Sequence, residues 1–354
     1  MFDAAASMER MSCMPVLRFP CDGAGPAALT LRPDRRRALR RVAAGALSAG
    51  LGGALSGCQA PLPPLRVGSI VFPGYELLFL ARELGLLDEQ LLRLVELRSN
   101  TDTLRALATG QLEAATLTLD ELLSARADGV DLRVALVLDQ SAGADVVLAR
   151  PGVDQLRALK GLRIGVEDSA TGALMLGAAL DAAQLSVEQV HKVVITLDRS
   201  VDAYRIGGVD AVVSAEPWAN RLEQLGAQRL FDSSAIPGRI VDVLAVQGSV
   251  FEQQSLAIRR LVAAHFSALA FLRRDPARAH LLLAPRLQLP PEQVPSAFRG
   301  LLLPDLAENR SLLGAGGLVQ QSARSLMTVM QQQGLLAKPL DLQSLVDVRG
   351  LPES

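Results

Sequence analysis

Residues 65–72 read LRVGSIVF, and residues 162–167 read LRIGVE. Both are apolar runs of strand length, and both carry glycine at the fourth place. Each then gives way to small or polar residues and a stretch of helical spacing. Two strand–helix units that open alike imply two similar α/β lobes.

The chain around them repeats the pattern. YELLFLARELGLL (75–87) has helical spacing, and RLVELR (93–98) alternates as a strand. SNTD (99–102) offers N-cap residues to a helix that Gly110 stops. LEAATLTL (112–119), LRVALVLD (132–139) and ADVVLAR (144–150) read as strands, with a short helix over DELLSARADG. From Val153 a short helix leads to Gly161, followed by the strand at 162–167, a helix over 169–185 and a strand over 190–196. GVDAVVSAEP (208–217) is a strand entering a turn, and IVDVLAVQ (240–247) is a further strand. Beyond Phe251 the spacing is helical, interrupted by prolines, and is expected to pack on the first lobe. This alternation predicts an α/β fold with largely parallel sheets. Lobe 1 is expected over 65–150 and again over 241–354, lobe 2 over 151–240, with a ligand cleft between them.

Composition narrows the function. The 354 residues include 36 Lys+Arg against 37 Asp+Glu, so there is no basic footprint for nucleic acid. Three His and three Cys offer little for a metal site, and no metal or cofactor is expected. His191, His265 and His280 have no ligand-spaced partner or nucleophile beside them, and neither a G-x-S-x-G nor a Walker A pattern occurs. No catalytic residue is assigned.

In open α/β sheets ligands sit beyond the carboxyl ends of the strands. Asn100 and Thr101 follow one such end, Thr118 and Asp120 a second, Ser169 and Thr171 a third, and Glu216 and Trp218 a fourth. Ser99–Asp102 and Ser169–Gly172 also open helices, whose free N–H groups suit anionic or carbonyl groups, or plain capping. Tyr75 and Trp218 are candidate aromatic walls. Glu76, Asp120, Asp145, Glu167, Glu216 and Asp242 lie near strand ends, where Arg98 and Arg199 are the nearby bases. That surplus of carboxylates leans toward a cationic, amine-bearing or pyrimidine-like ligand.

The N-terminus reads as a sorting signal over residues 1–57. DRRRALRR (34–41) precedes fourteen uncharged residues (42–55), too few to span a bilayer comfortably. Leu55-Ser56-Gly57-Cys58 resembles a bacterial lipobox, which implies lipidation at Cys58 and anchorage to the envelope membrane. Removing residues 1–57 takes away eight Arg and four acids, leaving 28 basic and 33 acidic residues. Residues 58–64 form a Pro-rich tether.

LRVG…PGYELLFLARELGLL, SNTDTLRALATGQLEAATLTLDE, LKGLRIGVE and VDAVVSAEPW, in that order, resemble the periplasmic solute-binding proteins of nitrate/sulfonate/taurine-type ABC transporters. That SsuA/THI5-like or NMT1-like group shares its domain with thiamine-pyrimidine synthases. The resemblance covers about 65–275. It implies a two-lobed type II periplasmic binding protein fold, a small-molecule solute, permease and ATPase partners, and a periplasmic monomer. The alternatives are a pyrimidine-synthase-like enzyme or a ligand-sensing binding protein. The synthases carry a Cys-rich motif, whereas Cys58 is the last cysteine here.

Overall fold

The computed structural model describes residues 62–353. The signal and lipidation readings, Cys58 included, lie outside the described residues. In chain order the first half contains β1 (Leu65–Ser69), α1 (Glu76–Glu83), β2 (Leu92–Glu96), α2 (Asn100–Ala108), β3 (Ala114–Thr118), α3 (Leu119–Ala127), β4 (Leu132–Ser141) and β5 (Val146–Ala149). There follow β6 (Arg163–Val166), α4 (Ala170–Ala183), β7 (His191–Val194), α5 (Ser200–Arg205), β8 (Ala211–Ser214), α6 (Trp218–Gln224), β9 (Gln228–Asp232) and β10 (Val241–Gln247). The remainder is α7 (Gly248–Gln253), α8 (Ser255–Arg274), α9 (Pro276–Leu287), α10 (Val294–Ala297), β11 (Leu301–Leu302), α11 (Leu306–Leu313) and α12 (Leu318–Gln332).

These strands form two sheets. The first runs β11-β4-β10-β3-β1-β2 and the second β7-β6-β8-β5-β9. The protein has the expected two-lobed α/β architecture, but its sheets are mixed. Among these strands parallel pairing is confined to β1 with β2 and β3, and to β6 with β7 and β8, with one isolated parallel bridge from Val134 of β4 to Val346. Strands β5, β10 and β11 pair antiparallel with every neighbour. The reason lies in the crossings: β5 and β10 enter their sheets from the other lobe, beside the ends of β8 and β3, and so run against them.

The lobe boundary also shifts. β5 was expected inside the first lobe, yet it pairs with β8 and β9 in the second sheet. The chain therefore crosses over residues 142–145 and returns over 233–240. The two crossings are stitched together. Gly143 N–H donates to Ser233 Oγ at 2.7 Å, Ser233 N–H to the Asp145 carbonyl at 2.9 Å, and Ser141 N–H to the Ile240 carbonyl at 3.0 Å.

Most of the tail packs on the first lobe, with α8 and α9 against α1 and α11 against β4, and only its last helix departs from that. Helix α12 rests on α3 from the first lobe and on α4 from the second. Its buried Val319, Ala323, Leu326 and Met330 recur at helical spacing. They join one apolar core with Leu117 and Val243 of the first sheet and Val147 and Val166 of the second. Each fully buried Leu there stabilises by about 1.5–3 kcal/mol. At Gly177 of α4 the side chain of Gln333, just past α12, lies directly over the Cα, where a Cβ would have to push the amide aside.

Candidate functional site

Three strands of the first sheet end side by side. Asp242 of β10 stands opposite Thr118 of β3 and opposite Asp139 of β4. Directly opposed residues project to the same face, so a hydroxyl and two carboxyls form one row. The Tyr75 hydroxyl donates to Asp242 Oδ1 at 2.6 Å, and Phe72 meets the Tyr75 ring edge-on at 5.0 Å. The turn before α1 fits this row closely: a Cβ on Gly74 would fall 1.7 Å from Asp139 Oδ2.

Beside the row, helix α3 begins with Thr118 as its N-cap. The Glu121 side chain reaches back to accept from Thr118 N–H at 3.1 Å, and Asn100 Nδ2 donates to both Glu121 oxygens at 3.0 and 2.9 Å. The second lobe supplies Glu167 at the end of β6 and the start of α4. Ser169 Oγ accepts from Gly172 N–H at 3.1 Å. The Thr171 hydroxyl lies 2.9 Å from Thr118 Oγ1 and 3.2 Å from an Asp120 oxygen, a contact that joins the lobes.

Together these residues enclose a cavity of about 50 Å³, room for a few waters or a solute of few heavy atoms. Its wall includes Tyr75, Asn100, Thr118, Ser169 and Thr171, all expected from sequence, and the carboxylates Glu121, Asp145, Glu167 and Asp242. No Lys, Arg or His lines it.

Burial dominates the electrostatics. Desolvation, with the neighbouring Asp139, pushes Asp242 well above the ordinary carboxylate range. Asp139 itself is raised to about 7 by burial, and apart from the Asp242 carboxyl beside it no group donates to its oxygens. Two adjoining carboxyls in such a place hold a proton between them. Glu121 is likewise held well up by burial and by Asp120. Glu167 is raised to about 7 and Asp145 to about 6, both chiefly by desolvation. Three polar atoms on the wall, Asn100 Oδ1, Asp145 Oδ2 and Ser214 Oγ, are buried without a partner. A cavity with four carboxyls and further unpartnered acceptors suits a ligand rich in N–H donors.

Four residues expected at the site stand elsewhere. Thr101 is exposed on the first turn of α2. Asp120 is buried one step behind Thr171. Glu216 accepts from Asn220 N–H at 3.2 Å inside the α6 turn, outside the cavity wall. Trp218 begins α6, a helix the sequence reading leaves as a turn, and faces a separate cleft. The displacement has a simple cause. The chain turns into α6 straight after the strand end, so that Ser214 and Ala215 reach the cavity and the residues after them do not. Glu121 is missed because three residues after a Thr it reads as an ordinary capping acid. Asp145, Glu167 and Asp242 are noted as part of an acidic surplus, and only the crossings of the chain bring them together.

A family profile described as NMT1-like matches residues 58–284, more than half of the chain. The protein belongs to the NMT1-like family. A search of curated proteins found no match for this NMT1-like chain. Solved structures with the same periplasmic binding protein fold include the alkanesulfonate-binding protein SsuA from Xanthomonas axonopodis pv. citri bound to MOPS. It is 20% identical with a TM-score of 0.68, covering 81% of this chain and 97% of that one. The aliphatic sulphonate binding protein SsuA from Escherichia coli is 21% identical with a TM-score of 0.64, covering 82% and 97%. The nitrate-binding protein NrtA from Synechocystis PCC 6803 is 12% identical with a TM-score of 0.65, covering 82% and 87%.

Proposed function

We propose that this NMT1-like protein is the exported, lipid-anchored solute-binding component of an ABC importer, and that its solute is a small amine-bearing cation. One observation carries the choice of solute: four carboxyls and no base line the cavity. A bare anion placed there would face four carboxyls with no base to offset them, whereas an ammonium would let them ionise against it. The fold shared with sulfonate- and nitrate-binding proteins supports the transport role. The basic, apolar and Cys58 signals at the N-terminus support export to the periplasmic face of a membrane.

The mechanism is closure on the ligand. The first lobe offers Tyr75, Asn100, Thr118, Glu121 and Asp242, and the second offers Glu167, Ser169 and Thr171. A solute that touches both sets favours the closed form by its differential affinity, and a permease recognises that form. No bond-making step is assigned: the side chains bind and exchange protons.

The test is a thermal-shift and calorimetry panel of short alkylamines, pyrimidines, alkanesulfonates and nitrate. At 100-fold excess over Kd a true ligand stabilises by about 2.7 kcal/mol. Amines or aminopyrimidines are expected to give that shift. Stabilisation by nitrate or a sulfonate, with none by any amine, would overturn the cationic assignment.

A further inference from the structure

A second cleft straddles the two lobes. It holds about 460 Å³ and is lined by Arg98, Arg199, Arg221, Arg286 and Trp218, with Asp198 as its one acid. It shares a wall with the acidic cavity. Ile70 lines the cavity while Val71 lines the cleft, and Leu197 lines the cavity while Asp198 and Arg199 line the cleft.

The four guanidiniums are not equivalent. Arg286 is held by Glu76 at 2.8 Å, and its Nη1 faces Glu96 without the alignment of a hydrogen bond. Arg221 donates to the carbonyls of Leu287 and Gln288 at 3.2 and 3.3 Å, which ties α6 to the end of α9. Arg98 and Arg199 are exposed and enter no ion pair or side-chain hydrogen bond among the described residues. Arg98 follows β2 in the first lobe, and Arg199 precedes α5 in the second. The cleft therefore gathers, from the two lobes, two positive charges that have no ion-pair partner among the described residues. Trp218, the single tryptophan of the chain, is only 8% exposed and forms part of its floor.

We propose that this cleft is an oxyanion site in which a carboxylate, sulfonate or phosphate group bridges Arg98 of one lobe and Arg199 of the other. The guanidinium fork matches such groups with paired N–H donors, and an anion between the two arginines removes their repulsion. Closure is then favoured from outside the cavity as well as from within. The oxyanion has two sources: a separate inorganic anion, or the acidic end of a dipolar solute whose ammonium occupies the cavity.

Trp218 supplies the readout. Sodium sulfate is titrated at ionic strength held constant with sodium chloride, and tryptophan emission is followed. A saturable change is expected in the wild-type protein. In Arg98→Ala/Arg199→Ala the midpoint moves at least about tenfold higher, the loss of exposed charge-assisted bonds. Both side chains are exposed, so the variant keeps the wild-type melting temperature, measured alongside. The same sulfate curve in both proteins, or no saturable change in either, overturns the site. Ethylamine and a ladder of ω-amino acids then separate the sources. Sulfate that strengthens ethylamine binding identifies a separate anion, and sulfate that competes with an amino acid identifies the solute's own acid. The sulfate arm needs no cavity ligand, so failure of the amine assignment leaves it readable.

Discussion

The acidic cavity and the arginine cleft share a wall one residue thick, yet they are built from opposite charges under opposite conditions. Three of the cavity's four carboxyls are buried and Asp145 is half-buried, and its wall has no cation. Its neighbour's unpaired arginines face solvent. The difference teaches why each charge sits where it does. A carboxyl can take up a proton and stand neutral in a closed core until a ligand arrives, whereas a guanidinium keeps its charge at any physiological pH. A receptor that must close while empty can hide acids in its interior, and its arginines must stay where water screens them.

Removing a cavity carboxyl is the strongest way to break the comparison. Asp242→Asn lets an amide donate to the oxygens of Asp139, so the empty protein should melt at a higher temperature. Amine affinity should fall roughly 100-fold, the ~3 kcal/mol of a broken buried charge pair. Melting curves and calorimetry on one preparation read both signs. A variant that loses stability and affinity together would show Asp242 to be a packing residue.

Proton concentration should act on the cavity and leave the cleft alone. Asp139 and Glu167 are raised to about 7 and Asp145 to about 6. The folded state therefore binds more protons than the unfolded one above the ordinary carboxylate pKa near 4. Empty-state stability should be greatest at about pH 4, falling as pH rises toward 7. Amine affinity should rise by at least about tenfold between pH 5.5 and pH 8 as the carboxyls ionise. The sulfate midpoint should stay level between pH 6 and pH 8, and a parallel pH slope in both titrations would merge the two sites into one.

Smaller effects sharpen the geometry. Gly74→Ala drives a methyl into Asp139, which should cost about 1–3 kcal/mol by overpacking. Adding Asp139→Ala should recover most of the lost melting temperature. Thr171→Val deletes the hydroxyl between the lobes, which should cost about 1 kcal/mol and shift small-angle scattering of the empty protein toward a larger radius. An unchanged radius would place closure in the apolar core alone.

The sequence made much of this legible, for reasons that can be named. Glycine-stopped helices and the strand runs 65–72 and 162–167 announce themselves through periodicity. Ser99 and Ser169 are visible as caps because a cap is a local device, and both accept the N–H three residues on. Direction is not local. The apolar run 240–247 looks the same whether its strand lies parallel or antiparallel, so the mixed sheets stay hidden, and so does the place of β5. The cavity acids stay hidden for the same reason. Asp242 meets Thr118 and Asp139 across sequence distances that no spacing rule spans, and Trp218 is turned away by a helix only seven residues long.

The two crossings between the lobes each end in a cavity acid, Asp145 before β5 and Asp242 at the start of β10. A swinging pair of lobes moves least at its axle. The proposed opening would draw Glu167 and Thr171 away from Asn100 and Glu121 and leave Asp145 and Asp242, beside the crossings, near each other. On the proposed mechanism the open form would thus keep half of the site, a fixed berth where a cation could settle before the far wall swings in. Release would follow the reverse order, with the hinge-side acids the last to let go.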